Sequence, residues 1–365
     1  MPTGPAVYLR ELISALAQID KTNSYTLYFQ HDPRDDFLTK LTKQNPKFSY
    51  VVLPSSLSWT QVSLTRELIK NPTDIFFTSV HTIPFFAKVL KPSIKFVSMV
   101  HGLEYILNQT YTDLSIKKII QPAVLAVTAD CSSAVIVPSE STKRAIGKQF
   151  GFFVKSKVHV IYEGLNESFR QPLDPVATQN TVKKYGLEGA PYLVFLSTIQ
   201  PRKNLPLTIK AFANVVPNNK ALKLCVIGKN GWRFEESLEA PKKSGVEKNV
   251  IFLGPLVTEE VRALLSSAKG FVNFSLDEGF GLPLLEAMAL GLKCGVSDIP
   301  AFRELGQNYP VYADPKSETA ISDAINSLLN PSWDNVRLEN QRNHALSFSW
   351  DTTAEQTLRL FQSLF

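Results

Sequence analysis

The feature that most restricts the fold of this chain is an alternation running its whole length, in which short β-rich apolar runs are separated by segments of helical spacing. The runs read as strands at Tyr25 to Gln30, Phe48 to Leu53, Asp74 to Ser79, Lys95 to Val100, Ala134 to Pro138 and Lys157 to Tyr162. They resume at Tyr192 to Ser197, Leu222 to Gly228, Val250 to Gly254, Gly270 to Ser275, Lys293 to Ser297 and Val311 to Ala313. Helical spacing fills the gaps, notably at Tyr8 to Ile19 and Trp59 to Lys70. Alternation of this kind predicts an α/β fold built on parallel sheets with covering helices.

A chain of 365 residues is large for one core, so two domains are expected. Between Glu163 and Ala190 the sequence carries Gly164, Pro172, Pro175, Gly186 and Gly189 with little periodicity, which places the boundary there. The two domains are expected to face each other across a cleft. A last helix, Trp350 to Phe365, has Leu358, Leu360, Phe361 and Leu364 at helical spacing.

Composition narrows the class. Hydrophobic residues make up 44% and charged residues 20% of the chain, and no apolar run approaches the roughly 18 residues that span a bilayer. The N-terminus lacks the basic, apolar and small-residue regions of a signal peptide, so the expected location is the cytoplasm. Cys131, Cys225 and Cys294 stand far apart in apolar stretches and read as reduced, buried thiols. The net charge of +6 is spread along the chain without a stripe of cations and aromatics, which argues against nucleic acid. Peripheral membrane contact, at the inner face of the membrane, stays open through the basic and apolar stretch Leu114 to Ile120; the alternative is a half-buried helix with solvated lysines.

The strongest chemical signal is Asp277-Glu278-Gly279-Phe280-Gly281-Leu282-Pro283-Leu284-Leu285-Glu286. A strand, a Gly-x-Gly turn and an apolar helix present backbone N–H groups and the positive end of a helix dipole, a site suited to phosphate. Pro283 fits the first helical turn and Gly291 the stop. Glu286 lies among Leu284, Leu285, Met288 and Leu290, where a partly buried carboxylate needs donors such as sugar hydroxyls.

In open parallel sheets ligands bind beyond the carboxyl ends of strands. After Tyr192 to Ser197 come Pro201-Arg202-Lys203-Asn204, two cations at a helix start, where they conflict with the dipole unless an anion intervenes. A diphosphate would supply it. His101-Gly102 follows Lys95 to Val100, and His81 has a similar but weaker position after Asp74 to Ser79. Thr3-Gly4-Pro5, before the first helix, is a further candidate for lining the cleft.

Taken together, these segments make the chain resemble a family 4 (group 1) retaining glycosyltransferase of the GT-B fold, mannosyltransferase-like, over nearly its whole length. The resemblance rests on Glu278-Gly279-Phe280-Gly281-Leu282-Pro283 through Glu286, Pro201-Arg202-Lys203-Asn204 and His101-Gly102. Pro138-Ser139-Glu140-Ser141-Thr142-Lys143, Tyr162-Glu163-Gly164 and Phe348-Ser349-Trp350 fall in the expected order around them. It implies two Rossmann-like doubly wound domains: an acceptor-binding domain over residues 1–170, a nucleotide-sugar-binding domain over 171–345, and a C-terminal helix over 346–365 crossing back to the first.

The resemblance also implies roles. Glu278 would contact the donor sugar and Glu286 the ribose hydroxyls, Arg202 and Lys203 would hold the diphosphate, and Gly279, Phe280, Gly281 and Leu282 would meet sugar and phosphate through their backbone. His101 would approach the sugar from the acceptor side, with Gly4 a weak candidate for an acceptor or phosphate loop. The partners implied are a nucleoside-diphosphate sugar and a carbohydrate or lipid-linked acceptor, with no cofactor. No Asp-x-Asp element or carboxylate cluster suggests a metal.

Two alternatives share the fold: a catalytically silent donor-binding partner, and a sugar-nucleotide epimerase or phosphorylase-like enzyme. The chain departs from the family at its start. Members begin with a strand and a Gly-rich loop; here the first strand is missing, and Ala6 and Val7 stand where a second glycine and a basic residue are common. That strand would take a central slot of the N-terminal sheet. The expectation is a reading frame that extends upstream, or a form of lowered stability.

Overall fold

The computed structural model describes residues 4–33, 36–54, 58–80, 82–103, 116–151, 154 and 156–365. It divides into two compact units, Pro2–Gly164 with Ser349–Phe365, and Leu165–Phe348.

The first unit contains α1 (Gly4–Ile19), β1 (Tyr25–Phe29), α2 (Asp36–Gln44), β2 (Phe48–Val52), α3 (Leu64–Lys70), β3 (Ile75–Thr78) and α4 (Phe85–Leu90). It continues with β4 (Lys95–Met99), α5 (Ile116–Cys131), β5 (Ala134–Val137), α6 (Glu140–Phe150) and β6 (Val158–Val160). The second unit holds α7 (Pro175–Lys184), β7 (Tyr192–Leu196), α8 (Leu205–Val215), β8 (Lys223–Ile227), α9 (Glu235–Lys243), β9 (Val250–Gly254) and α10 (Thr258–Ser267). After these come β10 (Gly270–Asn273), α11 (Leu282–Ala289), β11 (Cys294–Ser297), α12 (Pro300–Gly306), β12 (Val311–Ala313), α13 (Glu318–Leu329) and α14 (Asn335–Leu346). The last helix, α15 (Trp350–Gln362), belongs to the first unit.

In the second unit six parallel strands run in the order β12-β11-β10-β7-β8-β9, so the sheet starts at β7, builds outward to β9, then returns to β10 and builds the other way. Helices cover both faces, which is why the central strands read as unbroken apolar runs. Along β7, Tyr192, Val194 and Leu196 enter one core with Leu284, Leu285 and Met288 of α11, while Leu193 and Phe195 enter the other with Ile209 and Phe212 of α8. Helix starts follow the side-chain rule: Asp174, Ser317 and Asp334 each accept a first-turn N–H of α7, α13 and α14.

The first unit has parallel pairing throughout, in two sheets, β1-β2 and β3-β4-β5-β6. Among the described residues β1 and β3 each have a strand partner on one side only, and side chains from both (Leu27 and Phe29; Ile75 and Phe77) pack on one core with α1 and α15. Helix α15 is held closely. Thr353 Oγ1 donates to the Tyr162 carbonyl at 2.7 Å, and a Cβ on Gly164 would lie 2.3 Å from the Trp350 nitrogen.

The units meet the sequence at other points than the 170/171 and 345/346 boundaries. Leu165 and Phe169 lie in the core of the second unit, the Leu165 N–H donates to the Phe348 carbonyl at 3.1 Å, and Arg170 donates to the carbonyls of Leu346 and Phe348, both at 2.7 Å. These bonds keep 165–170 and 346–348 with the second unit. The helix expected over Trp59 to Lys70 opens with a wider π-helical turn at Trp59–Ser63. No helix among the described residues is long and apolar enough to cross a membrane; Leu114 and Ser115 lie outside the described residues, and Ile116 opens α5.

Candidate active site

The sheet of the second unit reverses its order between β7 and β10, and the segments leaving their carboxyl ends carry the predicted donor residues. Beyond β7 a one-turn 3-10 helix, Pro201–Lys203, ends at Asn204, which takes left-handed angles (φ 57°, ψ 30°). Asparagine tolerates that region better than most residues. Its amide also fixes it, donating to the Phe274 carbonyl at 3.0 Å and the Pro315 carbonyl at 2.7 Å. With the Leu276 N–H donating to the Arg202 carbonyl at 2.8 Å, the loops after β7 and β10 are tied together.

The tie brings three predicted residues into contact. Lys203 Nζ donates to Glu278 Oε1 at 2.5 Å, and Arg202 Nη1 donates to Glu278 Oε2 at 3.1 Å and to the Asp277 carbonyl at 3.0 Å. Ser275 Oγ lies 2.8 Å from Glu278 Oε1 and 2.5 Å from Asn273 Oδ1, so its single proton serves one of them at a time. Burial of the Glu278 carboxyl opposes its ionisation, but the charges of Lys203 and Arg202 outweigh that and hold it down at about 2. The conflict between two cations and a helix start is thus resolved by a carboxylate of the chain itself. The cations also sit one turn before α8, which begins at Leu205.

Beyond Glu278 the turn closes at Gly281, whose φ of 113° favours glycine and whose Cβ position would lie 2.7 Å from the Phe302 ring. Its carbonyl accepts the N–H groups of Leu284 (2.9 Å) and Leu285 (3.2 Å), Pro283 has none to give, and the N–H groups of Gly281 and Leu282 have no acceptor among the described residues. They are free to take an anion. Gly281→Ala is therefore expected to cost about 1–3 kcal/mol of stability from strain and overpacking and to weaken nucleoside-diphosphate binding, as read by melting temperature and titration. Phe280 points away from such a ligand: its side chain is buried against Phe348, rings 6.0 Å apart.

Glu286, one turn into α11, is half-buried, and its carboxyl has no hydrogen bond or ion pair among the described residues. Burial pushes it up to about 8. Two glutamates of one motif are thus driven to opposite states near neutrality, Glu278 by its cations and Glu286 by their lack.

In the first unit, beyond β4, the His101 ring is held on both sides. Nδ1 lies 3.3 Å from Glu163 Oε1 and Nε2 lies 3.1 Å from the Ser79 carbonyl oxygen. Both partners are acceptors, so serving both takes an N–H on each ring nitrogen. Tyr8 of α1 packs edge-on to His101 (5.1 Å) and to Trp350 (5.7 Å). The Tyr8 hydroxyl and Trp350 Nε1 are buried without a partner among the described residues, and burial, then the nearby Glu163 charge, pushes the Tyr8 hydroxyl far up.

Gly4 is the first residue of α1, with open space around its Cβ position, so nothing local requires glycine. Thr3 and His81 lie outside the described residues. Sequence reasoning assigned no role to Glu163, Asn204, Ser275 or Tyr8. The rule that selected His101, position just beyond a strand, also selects Glu163, since it follows β6.

Residues 178–344 match the family model of glycosyl transferases group 1, and residues 2–169 match that of glycosyltransferase family 4. The chain belongs to the family 4 glycosyltransferases. Its fold is GT-B, with two Rossmann-like domains of parallel sheet and helices. This family 4 chain is 29% identical over 196 residues to the O-antigen chain mannosyltransferase B of Escherichia coli, a match covering 53% of this chain and 51% of that protein. It is 26% identical over 238 residues to the O-antigen chain mannosyltransferase RfbU of Salmonella typhimurium, covering 62% and 63%. The matched part thus spans about half the length of the first relative. Among solved structures, Anabaena Alr3699/HepE in complex with UDP and glucose superimposes with a TM-score of 0.80 at 17% identity, covering 100% of this chain and 97% of that one. WaaG, a glycosyltransferase involved in lipopolysaccharide biosynthesis, does so with 0.72 at 15%, covering 99% and 97%.

Proposed function

We propose that this chain transfers a hexose from a nucleoside-diphosphate sugar to a hydroxyl of a carbohydrate or lipid-linked acceptor, with retention of anomeric configuration and without a metal ion, in the synthesis of a surface polysaccharide or glycoconjugate. The observation that carries this reading is the Arg202, Lys203 and Glu278 cluster at the reversal point of the second unit's sheet. The mannosyltransferase names of the relatives make mannose the first sugar to test.

In the proposed reaction the bond from the anomeric carbon to the diphosphate oxygen breaks and its electron pair leaves with the phosphate. The acceptor oxygen forms the new bond, and its proton passes to the departing phosphate or to solvent. Negative charge grows on the diphosphate, which in this reading meets Arg202, Lys203 and the Gly281 and Leu282 N–H groups, and fixed donors lower a barrier most where such charge develops. Glu278 then meets the sugar and Glu286 the ribose. Among the described residues no three His, Cys, Asp or Glu side chains converge to hold a metal.

Both ring nitrogens of His101 are occupied by partners in this arrangement, Nδ1 by Glu163 and Nε2 by the Ser79 carbonyl, so neither is open to an incoming hydroxyl. A sugar oxygen reaches Nε2 by replacing the Ser79 carbonyl, while Glu163 keeps the ring in place. Glu163→Ala is therefore expected to lower kcat by about tenfold to a hundredfold, the scale of a misplaced contact, with the donor KM little changed. Glu163→Gln, whose amide oxygen still accepts from Nδ1, should retain most of the activity; equal loss in both variants removes this role.

The test of the function is a panel of nucleoside diphosphates and their hexose conjugates, read first by titration and then by NMR of the product's anomeric signal. Transfer with the donor's configuration kept supports the proposal. Tight binding with no transfer to any acceptor favours a silent donor-binding partner, and a changed sugar nucleotide without acceptor use favours an epimerase. Absence of nucleoside-diphosphate binding overturns all three.

A further inference from the structure

Tyr8 belongs to the buried stripe of α1, where Leu12, Ala15 and Leu16 follow it at i+4, i+7 and i+8. Packing alone asks for an apolar side chain there, and phenylalanine would fill the same place. The hydroxyl is what packing does not explain. It is buried with no hydrogen-bond partner among the described residues, a state that lowers stability, and burial followed by the nearby charge of Glu163 keeps its proton in place.

An acceptor in the same want stands near it. Glu163 is 5% exposed, and its carboxylate meets one partner among the described residues, His101 Nδ1, which lies 3.3 Å from Oε1 and so just beyond the usual length of such a bond. Oε2 has none. A carboxylate buried to this degree calls for more than one long contact. Donor and acceptor are gathered around one imidazole: the Tyr8 ring stands edge-on to His101 with centroids 5.1 Å apart, and Glu163 contacts the same ring. Trp350 packs edge-on to Tyr8 at 5.7 Å, and its backbone nitrogen would lie 2.3 Å from a Cβ on Gly164, so ring and backbone are both confined. A turn of the Glu163 side chain is the movement left to bring hydroxyl and carboxylate together.

We propose that the Tyr8 hydroxyl is a second donor to Glu163, and that this hydrogen bond forms when a sugar oxygen takes the place of the Ser79 carbonyl at Nε2 of His101. A sugar oxygen there draws the ring from its 3.1 Å contact with Ser79, and the longer contact to Glu163 has to follow. Anchored by Tyr8, the carboxylate follows in a fixed direction and keeps the imidazole aimed. Tyr8 is thus a positioning residue that acts through Glu163 and His101 and touches no reacting atom. The inference rests on the sugar-transfer reading, and its test separates the two.

Tyr8→Phe removes the hydroxyl and leaves the packing. Turnover is read as release of nucleoside diphosphate from the hexose conjugates of guanosine and uridine diphosphate. The variant should melt at the parent's temperature or above and bind nucleoside diphosphate as the parent does, while kcat falls about tenfold, the scale of one hydrogen bond to a charged group, with the donor KM little changed. In a Glu163→Ala background the same substitution should change nothing further, because the partner is gone. Parent-level kcat in Tyr8→Phe with an active parent leaves the residue a packing role and overturns this inference alone. So does a lower melting temperature of the ligand-free variant, which places the hydroxyl in a bond already made, and so does the full loss of kcat repeated in the Glu163→Ala background. A parent chain that releases no nucleoside diphosphate from any conjugate removes the sugar-transfer reading, and this inference with it.

Discussion

Glu278→Gln is expected to lower sugar transfer by at least about a hundredfold while binding a nucleoside diphosphate more tightly than the parent chain. In the ligand-free site Arg202 and Lys203 spend much of their field on Glu278, at 3.1 Å and 2.5 Å, so an arriving diphosphate meets cations that are already partly neutralised. Replacing the carboxylate by an amide leaves hydrogen bonding but removes the competing charge. The gain for diphosphate is set at about tenfold, one desolvated charge contact. The same change takes a charge partner from two largely buried cations, so the ligand-free variant should be less stable by about 3 kcal/mol and should recover on adding nucleoside diphosphate.

The pH dependence has a definite sign. The Glu278 carboxyl is held at about 2, below its ordinary 4.5, so the stability it contributes is complete above pH 4.5 and is lost as pH falls through about 2. The variant should lack that acid limb. Calorimetric titration, transfer assays and melting curves check the three effects. Parent-level turnover, or weaker binding of the diphosphate, would remove Glu278 from the role given to it.

The fold was legible in sequence to a degree set by burial. Each strand expected in the second half of the chain is present within about one or two residues, because strands covered on both faces must be apolar throughout and so announce themselves. Val250 to Gly254 and Val311 to Ala313 coincide with β9 and β12. Two things were not legible. Strand order is a long-range property, so nothing in the residues shows that the first unit's pairing divides into β1-β2 and β3-β4-β5-β6. Short-range sequence also does not show which charges meet. Arg202 and Lys203 are 75 or 76 residues from Glu278, and the sequence left them without an anion; it took Asn204, tying one loop to the other, to supply one.

Glu286, expected from the sequence to be partly buried and to need donors, is half-buried with no hydrogen bond or ion pair among the described residues, and this leads to the second large effect. Glu286→Gln is expected to stabilise the ligand-free chain at high pH while weakening the nucleoside diphosphate. Its carboxyl is pushed up from 4.5 to about 8, so what it contributes to stability is fully present below pH 4.5 and is lost as pH rises through about 8. In a closed interior such a shift corresponds to about 5 kcal/mol. Because the Glu286 side chain is only half-buried, water screens part of this, and about 2 kcal/mol, or roughly 4–8 °C in melting temperature for a unit of this size, is the expected gain of the variant at pH 9. Binding moves the other way. If ribose hydroxyls donate to the ionised form, nucleoside-diphosphate affinity in the parent chain should tighten as pH rises through about 8, whereas the amide variant should bind about tenfold more weakly with that dependence gone. Titrations of both proteins between pH 6 and 9 separate this from the ligand's own ionisation, which is common to both. A variant as pH-sensitive as the parent, or equal in affinity at pH 9, takes Glu286 out of the ribose site, while equal melting temperatures at that pH show that the carboxyl is not held neutral by burial.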